Sequence, residues 1–278
     1  MKNFKEQIIT EKQDLTSLKW SKIRNSSGTA GSFLKAYTKT GNKKTYYKLS
    51  NYDNIKGVVG VESVNEIIVD RLLNILGVEH LHYRLIHADI KVDEKILETY
   101  VCESDDFKDL NEDKSPLDNY YDVEHKAGED KISFCLNNGW GKYIYEMFVV
   151  DFLILNRDRH GANIEVLRNR KKRTIRLAPL FDHGLSLLFN CYTEDEISKF
   201  NPMDDKKINS YLGSNSAREN LDLIPKDKLP VFNSLKESDK EVLFRDLYGV
   251  ISQQMIDKIW EMIYSRWMFY EDFCNKGK

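Results

Sequence analysis

The sequence has no C-x-x-C pair and no Cys/His run with zinc spacing. Its four cysteines, Cys102, Cys135, Cys191 and Cys274, lie far apart, the pattern of reduced thiols in a cytosolic protein rather than a disulfide framework. Long apolar runs are missing too. The longest, Met147 to Leu155, is broken by Asp151 and falls far short of the roughly 20 residues a membrane-spanning helix needs. Met1–Thr10 has no apolar segment of the kind a secretory signal requires. A cytoplasmic location is therefore expected, with export by a signal-less route left open. Charge of neither sign dominates: the formal net charge of −2 gives no reason to expect nucleic acid or an anionic membrane as partner. Internal repeats and low-complexity tails are absent, which removes repeat architectures.

What remains is a chain of 278 residues, 41% hydrophobic and 12% aromatic, enough for a large core in one or two domains. Residues 1–20 are polar and read as a helix or an arm. Phe33–Tyr37 and Thr45–Leu49 read as strands around a Gly41-Asn42 turn. In Val61–Leu76, Val64, Ile67, Ile68, Leu72 and Ile75 recur at helical spacing, and Gly77 stops the helix. Tyr83–Ile90 and Ile96–Cys102 form a second strand pair. Residues 104–138 read as polar loops, with a boundary near Ser104–Asp118. Beyond them, Trp140–Leu155 is a strongly apolar helix, 164–182 is strand-rich, and the rest is helical, most clearly Leu235–Gly249 and Ile251–Phe273. The expected class is α+β. A small β-rich N-terminal lobe over 1–103 carries one key helix, a larger, mainly helical lobe covers 104–278, and a ligand cleft lies between them.

The most informative stretch is Asp151 to Leu187. An apolar helix breaks at Asn156–Gly161 into a run dense in donors and acceptors, a hairpin follows, and the stretch ends at Pro179–Gly184 with Asp182. Asp158 stands on the loop after the helix, Asn163 at the start of the hairpin, and Asp182 where the chain returns. Two carboxylates and a carboxamide facing one cleft are hard oxygen ligands, which suit Mg²⁺. Asp158 is then free to orient a hydroxyl and accept its proton. Taken singly, Asp158, Arg159 and His160 would read as a helix cap with surface ion pairs. The ordered set D-x-H-x-x-N, hairpin, F-D-x-G is far more specific.

Asn156-Arg157-Asp158-Arg159-His160-Gly161-Ala162-Asn163, with Leu177-Ala178-Pro179-Leu180-Phe181-Asp182, resembles the HipA-like serine/threonine kinases, bacterial enzymes with a protein-kinase-related fold. The D-R-H-x-x-N run also resembles the phosphatidylinositol kinases of the same wider fold. The resemblance implies ATP and Mg²⁺ as cofactors, Asp158 as catalytic base, His160 as a brace of its loop, and Asn163 and Asp182 as metal ligands. It implies a protein substrate with a Ser/Thr acceptor and raises an antitoxin or regulatory protein as a partner. Two departures stand out. His183 follows Asp182 where protein kinases carry Phe, and the space before residue 20 is too short for the N-terminal subdomain of full-length members, so the chain reads as a shortened one.

The ATP side follows from the same comparison. Asn25–Ser32 is a small, Ser/Gly-rich stretch whose backbone N–H groups suit phosphate oxygens, with Ser26, Ser27, Gly28 and Thr29 as the binding candidates. It is neither a Walker A loop nor a full G-x-G-x-x-G. In HipA-like kinases a serine of this loop can itself be phosphorylated, which points to Ser26 or Ser27 and less to Ser32. Alternation along YYKLS puts Lys48 on the face opposite Tyr47 and Leu49. It is the expected partner of the α- and β-phosphates, with Glu66, or failing it Glu62, as its ion-pair partner. The adenine is expected near Tyr100–Glu103, with Tyr100 and Cys102 in its reach. Competing readings are a lipid or small-molecule kinase, a nucleotide-binding pseudokinase, and a metal-dependent hydrolase using Asp158, His160, Asp182 and His183. The basic turn Arg168–Arg176 reads as solvated. His80, His82 and His87 read as strand or turn residues without convincing metal spacing. The aromatics of 260–270 read as core.

Overall fold

The computed structural model describes residues 7–21 and 33–275; Ser26, Ser27, Gly28, Thr29 and Ser32 lie outside the described residues. Strand β1 (Ile8–Leu15) is followed by the hairpin β2 (Lys35–Thr40) and β3 (Lys43–Leu49), then the two-residue strands β4 (Tyr52–Asp53) and β5 (Gly57–Val58). Helix α1 (Glu62–Leu76) leads into β6 (Tyr83–Val92) and β7 (Lys95–Asp105). The main sheet has the order β1-β6-β7-β3-β2. The polar N-terminal segment is thus a strand, not a helix or an arm. Ile8 and Ile9 pair in parallel with Leu85 and Ile86, while Glu11 and Lys12 face solvent, the composition of a sheet edge.

Helix α1 is buried on nearly every side: Ile67, Ile68, Val69, Leu72 and Leu73 are all fully inaccessible. Gly77 ends it at φ +78°, its N–H donating to the Leu73 carbonyl, a left-handed stop that only glycine adopts without cost.

Residues 106–138 are more ordered than their polarity suggests. Strand β8 (Glu112–Pro116) joins a sheet of order β11-β10-β8, where β10 is Glu165–Asn169 and β11 is Thr174–Leu177. Its polar composition fits an edge position. Arg176 donates to both carboxylate oxygens of the buried Glu112, at 3.0 and 2.8 Å. Helices α2 (Leu117–Glu124) and α3 (Lys131–Asn137) follow. Asp130 caps α3 by accepting from the N–H groups of Ile132 and Ser133.

Helix α4 (Gly141–Ile154) precedes β9 (Asp158–Arg159). After the hairpin come α5 (Glu194–Lys199), β12 (Asn209–Ser210), α6 (Ala217–Asp222), α7 (Asp239–Phe244) and α8 (Gln253–Asn275). Leu235–Gly249 was expected to be one helix, but only α7 forms. Arg71 Nη1 donates to the carbonyls of Leu243 and Arg245, at 3.1 and 2.6 Å. A buried cation therefore satisfies the backbone where that helix stops.

The two regions share one core. Residues of α1, Leu85 of β6 and Cys102 of β7 belong to the same buried cluster as Phe148, Phe152, Ile256 and Trp267 of the helical region. A smaller cluster, with Tyr47, Leu49, Ile86 and Ile90, covers the other sheet face. Truncating α1 should therefore weaken the whole molecule. Ile68→Ala is expected to cost about 2–5 kcal/mol, and far-UV circular dichroism and tryptophan fluorescence should report the same midpoint in urea. Separate midpoints would show that the two regions unfold independently.

Candidate active site

Lys48 projects from β3 toward α1, opposite the buried Tyr47 and Leu49. Its Nζ donates to Glu66 Oε1 at 3.0 Å and also to Asp182 Oδ1. Glu66 is fully buried and accepts two more hydrogen bonds, from the backbone N–H groups of His183 (2.9 Å) and Gly184 (3.1 Å). Glu62 does not reach Lys48 in this way; it accepts from Asn51 N–H at 3.0 Å. Burial pulls the Lys48 ammonium down, but Asp182 and Glu66 outweigh it and hold the group above the usual lysine range. Burial likewise pushes Asp182 up, and Lys48 and Lys35 outweigh it, so Asp182 sits well below the usual carboxylate range. For Glu66, burial dominates and raises its pKa.

Asp182 has a left-handed backbone, φ +56°, rare for a residue with a side chain. Three contacts hold the segment there: Asp182 N–H donates to Tyr83 Oη at 3.1 Å, Asn65 Nδ2 donates to the carbonyls of Gly184 and Ser186, both at 3.0 Å, and Glu66 takes the two amides between them. A Cβ on Gly184 would stand 3.1 Å from Glu62 Cβ and 3.2 Å from Lys48 Nζ, so the glycine allows the helix and the lysine to approach this close.

The opposite wall is built on Arg159. Helix α4 ends at Leu155 with φ +50°, turning the chain so that β9 follows. Arg159 is 1% exposed. Its Nε donates to Asp151 Oδ2 at 2.9 Å and its Nη2 to Oδ1 at 2.8 Å, a bidentate pair. Its Nη1 donates to the carbonyls of Asn163 (3.1 Å) and Phe181 (2.9 Å). One guanidinium thus binds α4, the Asp158 loop and the Asp182 segment together. Asn163 Nδ2 donates to the Asp158 carbonyl at 2.8 Å, and Asn209 Nδ2 donates to Asp158 Oδ1 at 2.9 Å. His160 Nδ1 accepts from Ala162 N–H at 3.1 Å, and its Nε2 lies 3.6 Å from Asp158 Oδ2. A Cβ on Gly161 would come within 2.6 Å of Asp118, so this turn needs glycine.

The two walls enclose a cavity of about 530 Å³ lined by Lys48, Glu66, Asp158, His160, Asn163 and Asp182. Cys102 lines it; Tyr100 does not. Strand β7 continues to Asp105, so the chain leaves the sheet beyond the expected Tyr100–Glu103, and Ser104–Phe107 form that wall. Tyr100 instead stacks on His87, centroids 4.9 Å apart. His183 is not in the lining either. It is buried behind Glu66, with Nδ1 3.8 Å from Oε2, and burial holds its pKa well below the usual histidine value. A second cavity, about 630 Å³, lies beside α4 and Leu229–Phe232 and contains none of these residues.

Asn163 and Asp182 offer a carboxamide and a carboxylate from adjoining segments, a donor pair that fits Mg²⁺. Arg159, Lys35, Tyr83 and Asn209 escaped the sequence reading. Asp151 was the available signal for Arg159, since a carboxylate inside an apolar helix requires a buried partner. Lys35 Nζ stands 4.0 Å from Asp182 Oδ2. Asn209 arrives from β12, paired with β9, and nothing local in the sequence marks it.

No family model matches the chain, and no curated protein matches it. Among solved structures, a Helicobacter pylori proinflammatory kinase, CtkA, superposes with a TM-score of 0.60 at 16% identity, over 96% of this chain and 98% of that one. The chain has the fold of that kinase. A Shewanella oneidensis MR-1 structure of the toxin–antitoxin system HipA, HipB and its operator DNA superposes at a TM-score of 0.38 and 11% identity, over 90% of this chain and 59% of that one. The CtkA match accounts for the mixed α+β order, with the sheet first and the helices after it. Among the described residues, no helix is long and apolar enough to cross a membrane.

Arg159→Ala leaves Asp151 buried without its cation. The expected loss is about 3–5 kcal/mol, read by chemical denaturation. Arg159→Lys should recover only part of it, because an ammonium cannot reproduce the fork. Full recovery with lysine would reduce the role of Arg159 to charge alone.

Proposed function

We propose that the chain is an ATP-dependent kinase of the HipA-like kind, transferring the γ-phosphate of ATP with Mg²⁺ to a serine or threonine hydroxyl. The observation that carries this reading is the ammonium of Lys48 held between Glu66 and Asp182, facing Asp158 and Asn163 across one cavity. Such a set neutralises a polyphosphate on one side and receives a hydroxyl proton on the other, the two tasks phosphoryl transfer requires.

Each chain residue then has a definite task. Lys48 has three N–H bonds, of which the two carboxylates engage two; the third serves a phosphate oxygen. Lys35 adds positive charge beside Asp182. Asn163 and Asp182 would hold Mg²⁺, which supplies charge neutralisation at the phosphates when bound. Asp158 orients the acceptor hydroxyl and takes its proton. Asn209 donates to Oδ1 and His160 Nε2 stands 3.6 Å from Oδ2, so both sides of the Asp158 carboxylate are held in place. Ser26 and Ser27 precede Phe33, a cleft-lining residue, and are the proposed autophosphorylation positions. The hydrolase alternative is disfavoured because it needs His183 in the cleft, and that ring is buried behind Glu66.

The test is incubation with Mg-ATP labelled on the γ-phosphate, followed by mass spectrometry of the protein and of added protein substrates. Label on serine or threonine is expected. Asp158→Asn should lower transfer about 10²–10⁴-fold, and Asp182→Asn at least as much. Transfer that persists in both variants would sink the assignment, as would turnover with metal ion but no nucleotide. Label found only on lipids or small molecules would move the acceptor class.

A further inference from the structure

A second constellation lies outside the cleft lining. His80 sits in extended backbone, bridged to Leu180, so His80 and His82, two residues apart, point to the same side. That side faces Asp70, one turn beyond Glu66 on α1. His80 Nε2 and His82 Nδ1 each lie 2.9 Å from the same oxygen, Asp70 Oδ1. The other oxygen, Oδ2, is occupied: Gln7 Nε2 donates to it, and Asn74 Nδ2 donates at 3.3 Å.

The hydrogen bonding leaves a gap that something positive must fill. His80 Nδ1 is 2.7 Å from the Val78 carbonyl, which can only accept, so Nδ1 carries a proton. In a neutral ring Nε2 is then a lone pair, with the Asn74 amide nitrogen 3.4 Å away and a carboxylate oxygen at 2.9 Å. Two lone pairs at that distance require a proton or a cation between them. The Asp70 and His80 side chains are almost inaccessible, whereas that of His82 is 49% exposed, leaving an open side for water.

We propose that Asp70 Oδ1, His80 Nε2 and His82 Nδ1 form a binding site for a divalent transition-metal ion, zinc foremost. The three atoms lie within 4.8 Å of one another. Two imidazole nitrogens and one carboxylate suit zinc rather than magnesium, with a water in the fourth position. The surroundings are those of a tuned site: the Val78 carbonyl fixes the His80 tautomer, and Gln7 and Asn74 orient the carboxylate. The ion fastens α1 to the segment that opens β6, and it does so one turn from the glutamate that holds Lys48. The H-x-H spacing alone did not disclose this, because the third ligand lies ten residues before it on a helix. The site stands independently of the phosphotransfer reading.

The test uses the full chain, stripped with a chelator and dialysed against ZnCl₂ at neutral pH, with Co²⁺ absorption as a second readout. One Zn²⁺ per chain is expected, with the visible bands of four-coordinate Co²⁺. At a hundredfold excess over Kd, Tm should rise by about 5 °C or more. His82→Ala should abolish uptake, and Asp70→Asn should abolish it as well; because both changes break the 2.9 Å contact between His82 and Asp70, far-UV circular dichroism without metal first establishes that each variant is folded. Asp182→Asn and His87→Ala should bind as the unaltered chain does. No uptake by the folded protein, uptake that survives His82→Ala, or loss in Asp182→Asn instead would each overturn the proposal.

Discussion

Three donors converge on the buried carboxylate of Glu66: the Lys48 ammonium and the amides of His183 and Gly184. Burying a charge costs several kcal/mol unless its partners are good, so this group stays only where all three are in place. The acceptor and its donors come from three parts of the chain. Lys48 belongs to the sheet, Glu66 to the central helix, and the amides to the segment that displays Asp182. The geometry of the cleft follows. Asp182 keeps its left-handed backbone because the amides after it are taken, and the Lys48 ammonium is held from two sides by Glu66 and Asp182.

Arg159 does the same for the facing wall, by different means. Its Nε, Nη1 and Nη2 meet one carboxylate and two carbonyls, so the Asp158 loop and the Asp182 segment are tied to one guanidinium. The two walls are therefore related through α4 and α1, which pack in one core. Cavity shape here is a property of the core rather than of flexible loops, the condition for a site that acts by positioning.

Much of this could be read from the residues. The α1 period, its glycine stop and the β2–β3 hairpin were legible because local pattern and tertiary need agree. Asp158, Asn163 and Asp182 were legible as a set because the chain leaves for the hairpin and returns to the same end, so that all three line one cavity. The misses share a cause. Strands β1 and β8 are edges, so their polar sequences read as a helix or an arm in the one case and as a loop in the other. The α7 stop depends on Arg71, 172 residues from Leu243 along the chain. Asn209 reaches Asp158 from 51 residues away. The exit from β7 was placed too early because strand length depends on pairing with β6 and β3, not on composition. Long-range partners of this kind leave no periodic trace.

The burial of α1 has a mechanical consequence. A helix that holds Ile67, Ile68, Leu72 and Leu73 in the common core cannot swing outward without exposing them, at about 1.5–3 kcal/mol each. Such a helix is a fixed post rather than a lever. A regulator acting on this molecule would have to change what occupies the cleft mouth or how the post is tied at its ends, since moving the post itself amounts to partial unfolding.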